Sequence, residues 1–237
     1  MSRAEPLPAR AGGGIGSALR TAAVDFYYQS IRLVPANVIW GVAFLGVLVV
    51  SLASGPLVTL VVVPLLAIPY VGILRLAALT VRGRDVVLSD LWRGYRRFCL
   101  AALALAAGAT LAAALLASNV IVGINMGGPL GWVFATLAGS GLIALWIVGF
   151  PVWILLVDPE REDRPIRARL RLAVLLSIAA PGRLGALALV LAIVLAVSTV
   201  AFAALLTISV AYASLVAARY VLPLADRFDA WLEARHG

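Results

Sequence analysis

Polar and apolar positions along this chain do not alternate as they would in a soluble domain; the charges instead withdraw from three long stretches. No Asp, Glu, Lys, Arg or His occurs in residues 33–74, 98–157 or 184–218, runs of 42, 60 and 35 residues. A helix needs roughly 20 residues to cross about 30 Å of hydrocarbon, so each of the first two runs holds two spans joined by a turn. Breaker residues place those turns. Ser54-Gly55-Pro56 divides the first run into spans near 35–53 and 57–76. Ser118 to Gly131, with Asn119, Asn125, Gly127, Gly128 and Pro129 between, divides the second into spans near 98–117 and 131–157. The third run would be about 52 Å long as a single helix, too long for one crossing and short for two. With Arg183 and Arg219 snorkelling toward the headgroups, a tight turn at Ser198-Thr199 gives spans near 183–199 and 200–222. Six spans are preferred, and five is the rival count.

The segments that precede each hairpin carry a second pattern. Ile15, Leu19, Ala22, Phe26 and Leu33 fall on one helical face before the first, and Val87, Leu91, Gly94 and Phe98 do so opposite Arg93, Arg96 and Arg97 before the second. Before the third, a basic turn from Arg164 to Arg171 leads into the apolar Leu172 to Ala180, which ends at Pro181-Gly182 as the first ends at Pro35. Helices lying on the membrane surface are expected at these places. The predicted architecture is an all-α polytopic bundle built as three copies of a surface helix followed by a transmembrane hairpin. Residues 15–225 then form a single transmembrane domain between a flexible, Gly/Pro/Ala-rich segment 1–14 and a tail 226–237.

Composition supports the membrane reading and changes the meaning of the charge. Apolar residues make up 63% of the chain and charged ones 13%, with a mean hydropathy of +1.06. The formal charge is +8, from 19 basic and 11 acidic residues, and every basic residue is Arg. All of them lie in the N-terminal segment, the 75–97 and 158–183 connections or the C-terminal tail. That is the positive-inside pattern on alternate loops, which places both termini in the cytoplasm; five spans would export Arg219, Arg227 and Arg235. The basic excess thus reads as a topology code, with contact to anionic lipid at about 1 kcal/mol per Arg near the surface, and no nucleic acid is needed to explain it. Met1 to Gly16 carries charges and no apolar core, so the first span is expected to stay as an anchor and not to be cleaved as a signal.

Candidate chemistry is sparse. The three charge-free runs contain no carboxylate or histidine, which argues against an intramembrane protease or a proton-driven pump. Thr59, Thr110, Thr136 and Ser140 have no base to activate them. Cys99 is the single cysteine and His236 the single histidine, so no catalytic, cofactor or metal residue is expected. Asp158, Glu160, Glu162 and Asp163 are interleaved with Arg161 and Arg164 and flanked by Pro159 and Pro165, which reads as a solvated turn in preference to a cation site. Arg75 lies about two turns inside its span, as a snorkelling anchor or, less favoured, a clamp for an anionic group. Arg93, Arg96 and Arg97 are further candidates for anionic-group or lipid contacts. Ala104, Gly108 and Ala112 form a small-residue ridge for helix packing, with Gly139 on the following span. Pro64, Pro69 and Pro151 should bend spans two and four, and such bends are able to frame a path.

Several short motifs carry a resemblance. Pro35-Ala36-Asn37-Val38-Ile39-Trp40 heads the first span, Ser54-Gly55-Pro56-Leu57 forms the first turn, Val81-Arg82-Gly83-Arg84-Asp85 follows span two, and Leu91-Trp92-Arg93-Gly94-Tyr95-Arg96-Arg97 comes next. Over about residues 18–100 the chain resembles the YesL-like family of bacterial membrane proteins, with its N-x-x-W, G-P, R-G and F/L-W-x-x-F/Y elements. The resemblance implies a small protein of the bacterial cytoplasmic (inner) membrane, associated with ATP-driven carbohydrate uptake, and implies no catalytic residue. The chain departs from that pattern in its Arg-only basic content and its uninterrupted final apolar run.

Two readings of function follow. The favoured one is a non-enzymatic accessory or scaffold component of a membrane transport system, partnered by the bilayer and by a transporter permease or a second copy of itself. The alternative is a transporter or lipid-handling protein with a path framed by spans two and four.

Overall fold

The computed structural model describes residues 14–236, so the N-terminal segment expected at 1–14 lies, except for Gly14, outside the described residues. Those described form eight helices joined by short turns, with no strand among them. A short helix α1 (Ile15–Tyr28) is followed by α2 (Ser30–Ser54), α3 (Pro56–Val81), α4 (Leu88–Met126) and α5 (Gly128–Val157). After a one-turn 3-10 segment at Pro159–Arg161 come α6 (Ile166–Ala179), α7 (Pro181–Val200) and α8 (Phe202–Ala234). Six of these, α2 to α5, α7 and α8, are long and apolar enough to cross a membrane. The chain is therefore a multi-pass integral membrane protein with six candidate spans.

Several boundaries differ from the expectations, each for an identifiable reason. The break before the first span falls at Gln29, and Pro35 sits inside α2 instead of at its head. The second surface helix is continuous with its span: α4 runs 39 residues, about 58 Å, because nothing between Trp92 and Phe98 interrupts a helix. Its start is fixed by Val87 in extended backbone, whose N–H donates to the Asp90 carboxylate at 3.0 Å. The broad turn expected over 118–131 contracts to Gly127 and Gly128, where φ is +63° and +66°, a conformation that only glycine adopts at little cost. Ser118 stays helical by donating its hydroxyl to Leu115 O. The third hairpin turns at Ala201 and not at Ser198-Thr199, whose hydroxyls likewise bond back to Val194 O and Leu195 O. Residues 226–236, expected as a tail, continue the last helix.

The core is concentrated toward the Arg-rich end. The second half of α3 (Val71, Ile73, Leu74, Leu76, Ala77) and α8 (Ala211, Leu215, Val216, Ala218, Val221, Leu222) are fully or almost fully enclosed, and the end of α5, from Ile154 to Val157, closes on them. The short helices α1 and α6 complete this region with Ala22, Leu172, Ala173 and Leu176. Toward the opposite end the bundle presents Leu48, Val49, Leu52, Leu111, Leu115, Val133 and Leu137 outward. Hydrocarbon contact makes such a surface stable, where water would not. In the outer half of the α4–α5 hairpin, burial is confined to Gly123, Gly131, Ala135 and Ala138. A Cβ on Gly123 would meet Gly131 O at 2.7 Å, so the glycine pair lets the two backbones approach closely.

Candidate functional site

Two polar constellations interrupt the apolar packing. The larger lies at the Arg-rich end, where α3, the 158–164 connection, α4, α6 and α8 converge. Asp158 is fully buried and accepts two hydrogen bonds from Arg82, Nε at 3.1 Å and Nη2 at 2.8 Å. The same guanidinium reaches Asp226 on α8 at 2.7 and 3.0 Å and Glu160 at 2.7 Å. Arg161, also buried, pairs with Asp158, with Asp226 at 2.7 Å and with Asp229 at 2.9 Å, and Arg164 adds a bond to Asp229. One guanidinium thus holds two carboxylates from different elements through its planar fork, which an ammonium could not do.

Glu162 joins a second arm of the same network by pairing with Arg75 on α3 and with Arg97 on α4, the latter at 2.7 Å. Arg75 also donates to Val157 O at 2.8 Å, the carbonyl at the end of α5. Arg169 spends its donors on backbone alone, at Leu156 O, Glu162 O and Arg164 O, and so closes the connection onto α6. Burial alone lowers the pKa of Arg82, but its bonds to Asp226 and Asp158 more than reverse this and hold it above the ordinary arginine value. Arg161 is raised in the same way, burial opposing and Asp226, Asp158 and Asp229 prevailing. Arg169, with carbonyl partners, is lowered by burial. The charged groups of this junction are paired with an opposite charge or a carbonyl, so it serves as a lock between helices.

The acidic cluster is accordingly not the solvated turn that its sequence predicts. Asp158 and Glu162 face inward as the counter-ions of Arg82, Arg161, Arg75 and Arg97. The signal was present as carboxylates set among the arginines near the ends of the charge-free runs, with Asp226 and Asp229 spaced to share a helical face. No His/Cys/Asp/Glu group able to hold a metal ion is found among the described residues.

The second constellation lies within the apolar region. Asn37 on α2 is fully buried, and its Nδ2 donates to Leu205 O at 3.1 Å while its Oδ1 accepts from Ala211 N at 2.7 Å. Those two backbone groups flank a π-helical turn, Leu205–Ser209, that opens α8. A π turn displaces the regular hydrogen-bond ladder by one residue, and the carboxamide occupies the donor and acceptor released there. One turn along α2, Gly41 lies against the same segment; a Cβ on it would come within 2.7 Å of Leu206 O. Sequence reasoning took Asn37 only as part of a motif, although a carboxamide in a charge-free run needs internal partners.

The other predicted residues are dispersed. Arg93 is largely exposed and pairs with Asp90 at 3.1 Å, and Arg96 lies over the Trp92 ring at 5.8 Å. Arg75 and Arg97 are engaged by Glu162, so the four arginines do not form a common anion site. Ala104 and Gly108 are exposed, Ala112 is half-buried, and a Cβ on Gly108 or Gly139 would meet open space, so close backbone packing between α4 and α5 falls to Gly123 and Gly131 instead. Pro64 sits in a 3-10 turn at Val63–Leu66, while Pro69 and Pro151 are buried in α3 and α5. The space between those two helices is filled by Tyr70 and Trp153, edge to face at 5.6 Å. Comparison with protein-family models, with curated proteins and with solved structures returned no match to this chain.

Proposed function

We propose that the protein is a non-enzymatic accessory or scaffold subunit of a bacterial cytoplasmic membrane transport system, with its Arg-rich end and both termini in the cytoplasm. The observation that carries this reading is the outer half of the α4–α5 hairpin. Beside a glycine contact of the hairpin's own, α4 presents Ala104 and Gly108 outward with half-buried Ala112 on the same face, and none of the described residues fills the space over Gly108. Ridges of this kind let a second membrane helix approach closely, since lipid chains cannot follow so narrow a groove as well as a helix does. The junction of Arg82, Arg161, Asp158 and Asp226 supports the same reading, because it fixes the helices relative to one another as a scaffold requires. The YesL-like resemblance favours a permease of an ATP-driven carbohydrate uptake system as the partner.

Purification in mild detergent tests this, with the co-purifying membrane proteins identified and quantified. A permease present in a fixed ratio to the chain, and lost on Gly108→Leu without a change in the melting temperature of the isolated chain, is the expected outcome. A chain that purifies alone, or one whose partner is indifferent to Gly108→Leu, overturns the assignment. A homodimer sensitive to that substitution would move the ridge to self-association.

A further inference from the structure

Two arginines outside the junction border an apolar groove of about 350 Å³ between α6, α7 and α8. Buried Leu176, Leu224 and Phe228 line its base, exposed Ala179 lies at its edge, and Arg183 and Arg227 also border it. Arg183 is exposed, and Arg227 commits only its Nε, to Pro223 O at 3.1 Å. Neither guanidinium pairs with a carboxylate among the described residues, whereas Arg219 between them in sequence is held by Asp25 at 2.6 Å. The place is also distinctive. Arg183 and Arg219 bound the last charge-free run, so the groove lies where hydrocarbon gives way to headgroups at the Arg-rich end. It opens beside the N-terminus of α7, the positive end of that helix's dipole.

We infer that this groove binds an anionic phospholipid, the phosphate held between Arg183 and Arg227 and the glycerol and first acyl carbons lying on Leu176, Leu224 and Phe228. A free phosphate would have no use for the apolar floor, and a neutral lipid none for two unpaired guanidiniums. A phospholipid joins an anion to an apolar chain at the depth where the groove does so. Guanidinium forks match phosphate oxygens bidentately, and the groove volume falls in the range of small-ligand sites, about 300–1,000 Å³. The inference is independent of any partner at the α4 ridge.

Binding of short-chain phosphatidylglycerol and phosphatidylcholine to the full chain in neutral detergent provides the test. Each arginine should favour the anionic lipid about fivefold, so the chain should prefer phosphatidylglycerol about 30-fold. Arg183→Gln with Arg227→Gln should abolish that preference, each single change should reduce it about fivefold, and Arg167→Gln with Arg171→Gln, two exposed arginines of α6 outside the groove, should leave it intact. Ala179→Phe, which narrows the groove from its edge without removing charge, should weaken both lipids. An undiminished preference in the Arg183/Arg227 variant, or an equal loss in the Arg167/Arg171 variant, overturns the site. Inorganic phosphate or glycerol phosphate that competes as well as the lipid overturns the lipid as occupant. Should the double variant fail to fold, the single changes and Ala179→Phe decide the matter.

Discussion

Replacing Asn37 by Leu keeps the branching of the side chain and removes both partners of the π turn in α8. The amide of Ala211 and the carbonyl of Leu205 then face a buried, water-free environment, with the lost bonds having measured 2.7 and 3.1 Å. Each buried group left without a partner costs about 1–3 kcal/mol, so the pair costs about 2–6 kcal/mol. The carbonyl retains a second route through the π-type bond within α8, which confines the expectation to about 2–4 kcal/mol. Asn37→Asp should be worse than Asn37→Leu, since a carboxylate cannot donate to Leu205 O and would be a buried charge with no cation beside it. Reversible unfolding in mixed micelles, followed by circular dichroism, measures the difference. A second change makes the reasoning specific: deleting Thr207 from the π turn restores a regular α-helix, in which Ala211 N finds a carbonyl of its own helix. That deletion should recover most of the loss in the Asn37→Leu chain and destabilise the natural one. A loss below about 0.5 kcal/mol for Asn37→Leu, or a Thr207 deletion equally harmful in both backgrounds, would refute the clamp.

At the charged junction, Asp158→Asn should destabilise the protein by about 3 kcal/mol, because Arg82 and Arg161 each lose a buried counter-ion; Asp163→Asn, exposed and unpaired among the described residues, should cost less than about 0.5 kcal/mol in the same denaturation assay. The raised pKa of Arg82 means that its contribution is fully present below the ordinary arginine value and lost only in strong alkali above it, so this pair should give no slope in melting temperature between pH 6 and 9. Gly123→Val should separate the outer halves of α4 and α5, since its Cβ would meet backbone at Gly131 and Ala135; a drop in melting temperature is expected there and none for Gly108→Leu. In a Cys99→Ala background, a membrane-impermeant thiol reagent should label Asn125→Cys on intact cells and Arg84→Cys only after lysis. The reverse pattern would invert the proposed orientation.

The number of crossings was legible because the cost of burying charge in hydrocarbon is large and uniform, so the charge-free runs record the membrane directly. Turn positions were less so. Ser118, Ser198 and Thr199 look like breakers in sequence, yet inside a span a hydroxyl bonds to the carbonyl one turn back and the helix continues. The chain turns instead at Gly127-Gly128 and at Ala201, where backbone geometry and not polarity decides. Partner choice was the hardest to foresee. Asn37 lies more than 160 residues from both of its partners, and Arg82 finds carboxylates 76 and 144 positions away, so neither constellation leaves a local motif.

That separation bears on what the arginines are for. As a topology code, Arg and Lys would be interchangeable, since only charge near the membrane is read. The junction imposes a stricter demand at some positions: Arg82 must hold Asp158 and Asp226 at once, and Arg169 must reach one carbonyl at the end of α5 and two in the connection after it, tasks suited to a rigid five-donor fork. At exposed Arg167 and Arg171 no such demand exists. Arginine is therefore a structural requirement at the junction, whereas at positions such as Arg167 and Arg171 any cation would serve. The residues that meet neither description, Arg183 and Arg227 at the rim of an apolar groove, are the ones for which an external anion is the natural counterpart.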